Sequence, residues 1–172
     1  MKYLVISDTH GYIKTAEELI KRYKENIGGV IHLGDLVRDV NNLKAKFSNL
    51  EFYFVSGNND YDVTIPYERK LMLNGRKILI AHGHRQRVNM GLMTINYWAM
   101  ENNADAVLFG HTHSPVCQVV NGIAIFNPGS ISLPRGTDFP TYGFMEVTEE
   151  GRIGFELMQY IDENHSEKIA SM

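Results

Sequence analysis

Only one cysteine, Cys117, occurs among the 172 residues, so no intramolecular disulfide can form and no thiolate metal cluster is available. It lies in the apolar stretch PVCQVV and reads as a small core hydrophobe. Long hydrophobic runs are missing too: nothing approaches the roughly 18 apolar residues of a membrane span. The opening MKYLVISDTHG offers one lysine and a short apolar run before Asp8, too little for a signal-peptide core. A cytoplasmic protein with no membrane association is the expectation. There is no surplus of positive charge: 17 Lys and Arg stand against 20 Asp and Glu, a net −3. That balance gives no general attraction for nucleic acid or anionic lipid, and stable nucleic-acid binding is not expected. Internal repeats, low-complexity segments and inter-domain linkers are absent as well.

What remains is the composition of one globular domain, 44% hydrophobic and 22% charged, spanning residues 1–172. Strands at KYLVIS (2–7), GVIHL (29–33) and EFYFVS (51–56) alternate with helices near 14–27 and 40–47. This order favours parallel pairing through right-handed crossovers. The second half changes character. Asn74-Gly75 and Asn121-Gly122 each separate two apolar runs, a strong hairpin signal, and a third hairpin turns near Gly151. Between them lie a helix near 88–103 and the strand ADAVLFG. The pattern predicts an α/β fold with two mixed sheets packed face to face and helices outside. The polar tail from about residue 162 is expected to fray.

Five segments run from an apolar strand into a loop of metal-binding or turn-forming residues: ISDTHG (6–11), HLGDLVRD (32–39), VSGNND (55–60), IAHGH (80–84) and FGHTH (109–113). Six of the seven histidines fall in them, and only His165 stands apart. Loops at the carboxyl ends of parallel strands meet in one crevice. Asp8, Asp35, Asn58, His82, His111 and His113 would crowd together there, with His10 beside them. Carboxylates packed without counter-charge repel, and divalent cations remove the problem. Oxygen and nitrogen donors without sulfur suit Mn²⁺, Fe, Zn²⁺, Ni²⁺ or Mg²⁺. Each segment alone also has a plain reading: Asp8 as a helix cap, Asp35 as a turn residue, 57–60 as an ordinary loop. Their recurrence after five strands points to one site.

The motifs DTH, GDLVRD, GNND, HGH and GHTH, in that order, resemble those of the calcineurin-like metallophosphoesterases. NPGSISLPR (127–135) is similar to a further block of their small bacterial and archaeal phosphodiesterase branch. The resemblance implies a four-layer αββα sandwich and two divalent metal ions, with Mn²⁺ the first choice. It places Asp8, His10 and His113 on one ion, Asn58, His82 and His111 on the other, and Asp35 bridging both. Such a pair, about 3.5–4 Å apart, activates a water for attack on the phosphorus of a small phosphate ester. His84 would face the substrate as the catalytic side chain, while His32 reads as a hydrogen-bonded core histidine. Arg135 and Arg85 are candidates to contact phosphate oxygens, or are solvated surface arginines. Larger members carry a histidine as general acid where this chain has Asn59, which favours diesters. Two alternatives stand beside the phosphodiesterase. One is an interaction scaffold resembling the small retromer subunit, which has lost a ligand of the DTH block that this chain keeps. The other is a nuclease. The wide apolar arc of helix 88–103 suggests a homo-oligomer.

Overall fold

The computed structural model describes residues 1–172. Its first sheet grows from β1 (Lys2–Ile6), which is buried along nearly its whole length, as a strand covered on both faces must be. Two crossovers return parallel to it: α1 (Lys14–Tyr23) leads to β2 (Gly29–His32), and α2 (Val37–Lys46) leads to β3 (Phe52–Phe54). The second sheet contains β4 (Glu68–Leu73), β5 (Arg76–Ala81), β6 (Ala106–Leu108), β7 (Val116–Val120) and β8 (Ile123–Asn127), with α3 (Met93–Glu101) before β6. The chain then rejoins the first sheet as β9 (Thr141–Val147), β10 (Ile153–Tyr160) and β11 (Ser166–Ser171). The orders are β11-β10-β9-β1-β2-β3 and β4-β5-β6-β8-β7. Both sheets mix parallel and antiparallel pairs. Both Asn-Gly hairpins form, with positive φ at Asn74, Gly75, Asn121 and Gly122, as a type I′ turn requires.

Side-chain alternation along the strands divides the interior into three cores. Val5, Ile31, Ile78, Leu108 and Phe126 pack between the sheets. Leu4, Ile6, Leu19, Ile20 and Leu43 lie between the first sheet and its two helices. Leu79, Val107, Ile95 and Ala99 join the second sheet to α3. The result is the four-layer αββα arrangement expected from the sequence. Burying each such side chain contributes roughly 1.5–3 kcal/mol, so these cores rather than helix propensity hold the layers. No helix is long and apolar enough to cross a membrane. Cys117 is half-buried against the inter-sheet core.

Four expectations are corrected. The tail does not fray: β11 pairs with β10 over Ser166 to Ser171, and Arg22 holds its start through Ser166 Oγ and the Asp162 carbonyl. Its polarity is that of an edge strand facing water. Helix 88–103 is broken at Gly91 into a 3-10 turn (Val88–Met90) and α3. α1 ends at Tyr23 rather than near residue 27. α2 begins at Val37 rather than near Val40, because Asp60 accepts from the backbone N–H groups of Leu36 (3.2 Å) and Val37 (2.7 Å). That contact caps a helix with no side-chain cap of its own and ties the GNND loop to the GD loop. The wide apolar arc divides: Met90, Met93, Tyr97 and Met100 are exposed, while Ile95 and Ala99 face the core.

Candidate metal centre

Loops leaving β1, β2, β3, β5 and β6 meet at one site, where His111 N–H of the second sheet's loop reaches the Asp8 carboxylate and the His82 ring reaches the Leu33 carbonyl. Asp8 N–H donates to the Gly34 carbonyl and Gly110 N–H to the His82 carbonyl. The turns are tight. Asp8, His10, Asp35, His111 and His113 all have φ between 47° and 67°. This left-handed backbone is uncommon outside glycine, costs of order 1–3 kcal/mol per residue, and persists where surrounding contacts impose it. A Cβ at Gly110 would stand 2.0 Å from Ser7 Oγ and 2.7 Å from Asp8 Oδ2, so only glycine lets the GHTH loop approach Asp8.

Asp8 is fully buried. Its Oδ2 accepts from Ser7 Oγ (2.5 Å) and from His111 N–H (3.1 Å). Its Oδ1 is buried without a hydrogen-bond partner, 3.3 Å from His113 Nε2 and 4.0 Å from Nε2 of both His10 and His82. Outer contacts set the imidazoles. His82 Nδ1 donates to the Leu33 carbonyl and His113 Nδ1 to the Leu133 carbonyl, each at 2.8 Å. A carbonyl only accepts, so each proton sits on Nδ1 and each Nε2 lone pair turns inward. His10 Nε2 lies 3.0 Å from His113 Nε2, and His10 Nδ1 lies 3.4 Å from Asp35 Oδ2. Asn58 Oδ1 is 3.0 Å from His82 Nε2. An orphaned carboxylate oxygen facing inward imidazole nitrogens fits a divalent cation.

Donor atoms of Asp8, His10 and His113 all lie within 4.8 Å of one another, as do those of Asp8, Asp35 and His82. Asp8 belongs to both clusters, and Asp35, a member of the second, also faces the first through its Oδ2, 3.4 Å from His10 Nδ1. Asp35 is nearly buried and held by Asn59, whose N–H donates to Oδ1 (3.1 Å) and whose Nδ2 donates to Oδ2 (2.7 Å). His111 Nε2 lies 2.9 Å from Asn89 Nδ2.

The charges follow from these contacts. Burial pulls the Asp8 carboxyl upward, but His113, His82 and Ser7 together outweigh it and hold it below the usual carboxylate range. The Asp8 carboxylate in turn holds His113 above the ordinary imidazole range, against burial. Burial, then the neighbouring His82, lowers His111. Burial, then His82 and His111, pushes His84 down to about 4, so at neutral pH it is an uncharged imidazole. His84 lies at the edge of the cluster, its ring 5.5 Å from that of His82 and 5.7 Å from that of Tyr67, with Nδ1 unpartnered. Arg85 stacks on Tyr67, 3.6 Å from its centroid. Arg135 is exposed, and its backbone N–H donates to the His113 carbonyl.

Several supporting residues escaped the sequence reading. Ser130 Oγ and Ser132 Oγ both donate to the Asp8 carbonyl at 2.8 Å, and Asn127 Nδ2 donates to the Gly110 carbonyl and to Thr112 Oγ1. The block NPGSISLPR therefore props both the DTH and the GHTH loops. Its signal was visible, but its role was not. Asn89 left no signal.

His32 is a core histidine, as expected. Its Nδ1 accepts from Gly34 N–H (3.2 Å), and its Nε2 faces Thr9 Oγ1 at 3.4 Å, whose own proton goes to Asp39. Protonating Nδ1 would set one N–H against another. Burial lowers this group to about 4, against an ordinary value near 6.5. The unfolded chain therefore binds more protons than the folded one between those values, and stability falls as pH drops from about 6.5 to about 4. The span corresponds to roughly 3 kcal/mol. Urea unfolding of chelator-treated protein should show a smaller pH slope over this window in His32→Gln than in the unaltered chain. Equal slopes would refute the assignment.

A family model for the calcineurin-like phosphoesterase superfamily domain matches residues 1–150. The probable metallophosphoesterase YsnB of Bacillus subtilis is 34% identical over 151 residues, covering 87% of this chain and 86% of the relative. The phosphodiesterase MJ0936 of Methanocaldococcus jannaschii is 29% identical over 168 residues, covering 87% and 95%. Vps29 of Entamoeba histolytica, solved in complex with Zn²⁺, superposes with a TM-score of 0.80 over 98% of both chains at 20% identity, a likeness of fold alone. The chain belongs to the calcineurin-like phosphoesterase superfamily, a metal-dependent family of phosphoric ester hydrolases, and carries candidate ligands for the metal.

Proposed function

We propose that the protein is a dinuclear metal-dependent phosphodiesterase. The observation that carries this reading is the orphaned Oδ1 of Asp8 among the Nε2 atoms of His10, His82 and His113. Asp8, His10 and His113 would hold one divalent cation; Asn58, His82 and His111 the other; Asp35 would touch both. Bound cations supply Lewis acidity toward phosphate oxygens and lower the pKa of a coordinated water. Mn²⁺ is the first choice by the family resemblance, and the oxygen and nitrogen donors suit it as they suit Fe, Zn²⁺, Ni²⁺ or Mg²⁺. The chain's own residues do the rest. The carbonyls of Leu33 and Leu133 aim the imidazoles, Asn59 orients Asp35, and neutral His84 offers a hydrogen bond at the substrate side. Relatives named as phosphodiesterases support the diester preference.

Elemental analysis of protein purified without chelator, followed by Mn²⁺ titration, tests the site, and two equivalents per chain are expected. Zero stoichiometry at millimolar Mn²⁺ would sink it. An interaction scaffold shares this fold, but the complete set of Asp8 and His10 favours an enzyme. Turnover of bis(p-nitrophenyl) phosphate should exceed that of single-stranded DNA; the reverse order would make the protein a nuclease. The exposed face of Met90, Met93, Tyr97 and Met100 supports self-association. Light scattering at micromolar concentration should exceed the 19.6 kDa of one chain, and a monomer mass would reject it.

A further inference from the structure

Two depressions flank the candidate metal centre, and they differ in charge. One, beside Asn59, is lined by Asp60 and Asp62 together with Arg38. The other, of about 440 Å³, lies against the GHTH loop and has no acidic residue in its lining. Its apolar wall is made by Val88, Leu92, Phe109 and Val116, with Asn89 and Arg135 among its polar residues. It adjoins the centre through three of its lining residues. Asn89 touches His111, Thr112 of its lining stands between His111 and His113, and the Arg135 backbone is bonded to His113.

We propose that this groove binds an uncharged, ring-bearing arm of the substrate, an aryl or nucleoside group esterified to the phosphate held at the metals. The inference rests on the phosphodiesterase reading and adds the substrate class. An anionic ester is attracted to the groove side, which carries Arg135 and no carboxylate, whereas the Asn59 side sets two carboxylates against Arg38. A flat apolar ring covers the half-buried Leu92 and Val116 and loses unfavourable water contact, while Asn89 supplies a polar partner at the edge. The volume lies within the usual range for small-molecule sites, about 300–1,000 Å³, and accommodates a nucleoside.

The test is calorimetric binding of two phosphonates, methylphosphonate and phenylphosphonate, to the Mn²⁺-loaded protein. Neither has an ester bond to hydrolyse. Both place the same anionic head at the metals, and only the second offers a ring. Phenylphosphonate should bind at least about tenfold more tightly, and the advantage should vanish in Leu92→Trp and in Val116→Trp, which fill the groove. Methylphosphonate affinity should stay the same in both. The two substitutions lie on different elements, so either variant that keeps methylphosphonate affinity is sufficient. Failure of methylphosphonate to bind the native protein would overturn the metal-centre reading, and the groove assignment with it. Equal affinities of the two ligands in the native protein, or a ring advantage that survives in the filled variants, would overturn the groove alone.

Discussion

Asp35→Ala is expected to abolish tight binding of Mn²⁺ and to lower kcat/KM by more than about 100-fold. Losing a mere outer partner of a metal ligand already costs about 10–100-fold in affinity or activity, and a direct ligand should cost more. Asp35 is 2% exposed and lies 3.4 Å from His10 Nδ1, with both oxygens held by Asn59. Removing it takes a negative charge from the middle of the cluster and leaves the Asn59 amide without its acceptor. His84→Ala should be milder, because His84 donates to no neighbour and lies at the edge of the cluster beside Tyr67. The experiment measures metal occupancy and kcat/KM separately for each variant. Full activity in Asp35→Ala together with none in His84→Ala would reverse the two roles.

The second large effect concerns the leaving group. Aryl diesters should be hydrolysed faster than phosphoserine by roughly 10²–10⁴-fold, the usual contribution of a general acid. A nitrophenolate departs without a proton, whereas a serine alkoxide needs one in the transition state. The structure removes both obvious donors. Asn59 turns its amide to Asp35, and His84, pushed down to about 4, carries no spare proton at neutral pH. A diester also bears one negative charge fewer than a monoester dianion, so it is repelled less by Asp8 and Asp35. Rates for aryl diesters, aryl monoesters and phosphoserine should be compared with Mn²⁺ present. Asn59→His should narrow the gap, with some loss of metal affinity because Asp35 loses its side-chain hydrogen bond. Equal turnover of phosphoserine and the aryl diester in the unaltered chain would make the protein a general phosphatase instead.

Much of this was legible in the chain because it depends on short-range patterns. Asn-Gly pairs dictate hairpins through their tolerance of positive φ, and alternating strands and helices set the parallel core of each sheet. Strand-end clusters of Asp, Asn and His named Asp8, His10, Asp35, His82 and His113, whose donor atoms the fold gathers into two overlapping clusters, with Asn58 and His111 beside His82. Other features depend on residues far apart in sequence, and no local pattern encodes them. The inward turn of His82 depends on the carbonyl of Leu33, 49 positions away, and the position of Asp8 on hydroxyls 122 and 124 positions away. Asp60 sets where α2 begins from 23 positions downstream. The tail is ordered because β10 offers it a free edge, although its own residues are polar. The sequence by itself determined which donor groups are present and which strands carry them. Only the tertiary structure decided which atom of each donor faces the centre, since that choice is made by hydrogen-bond partners on other strands and loops.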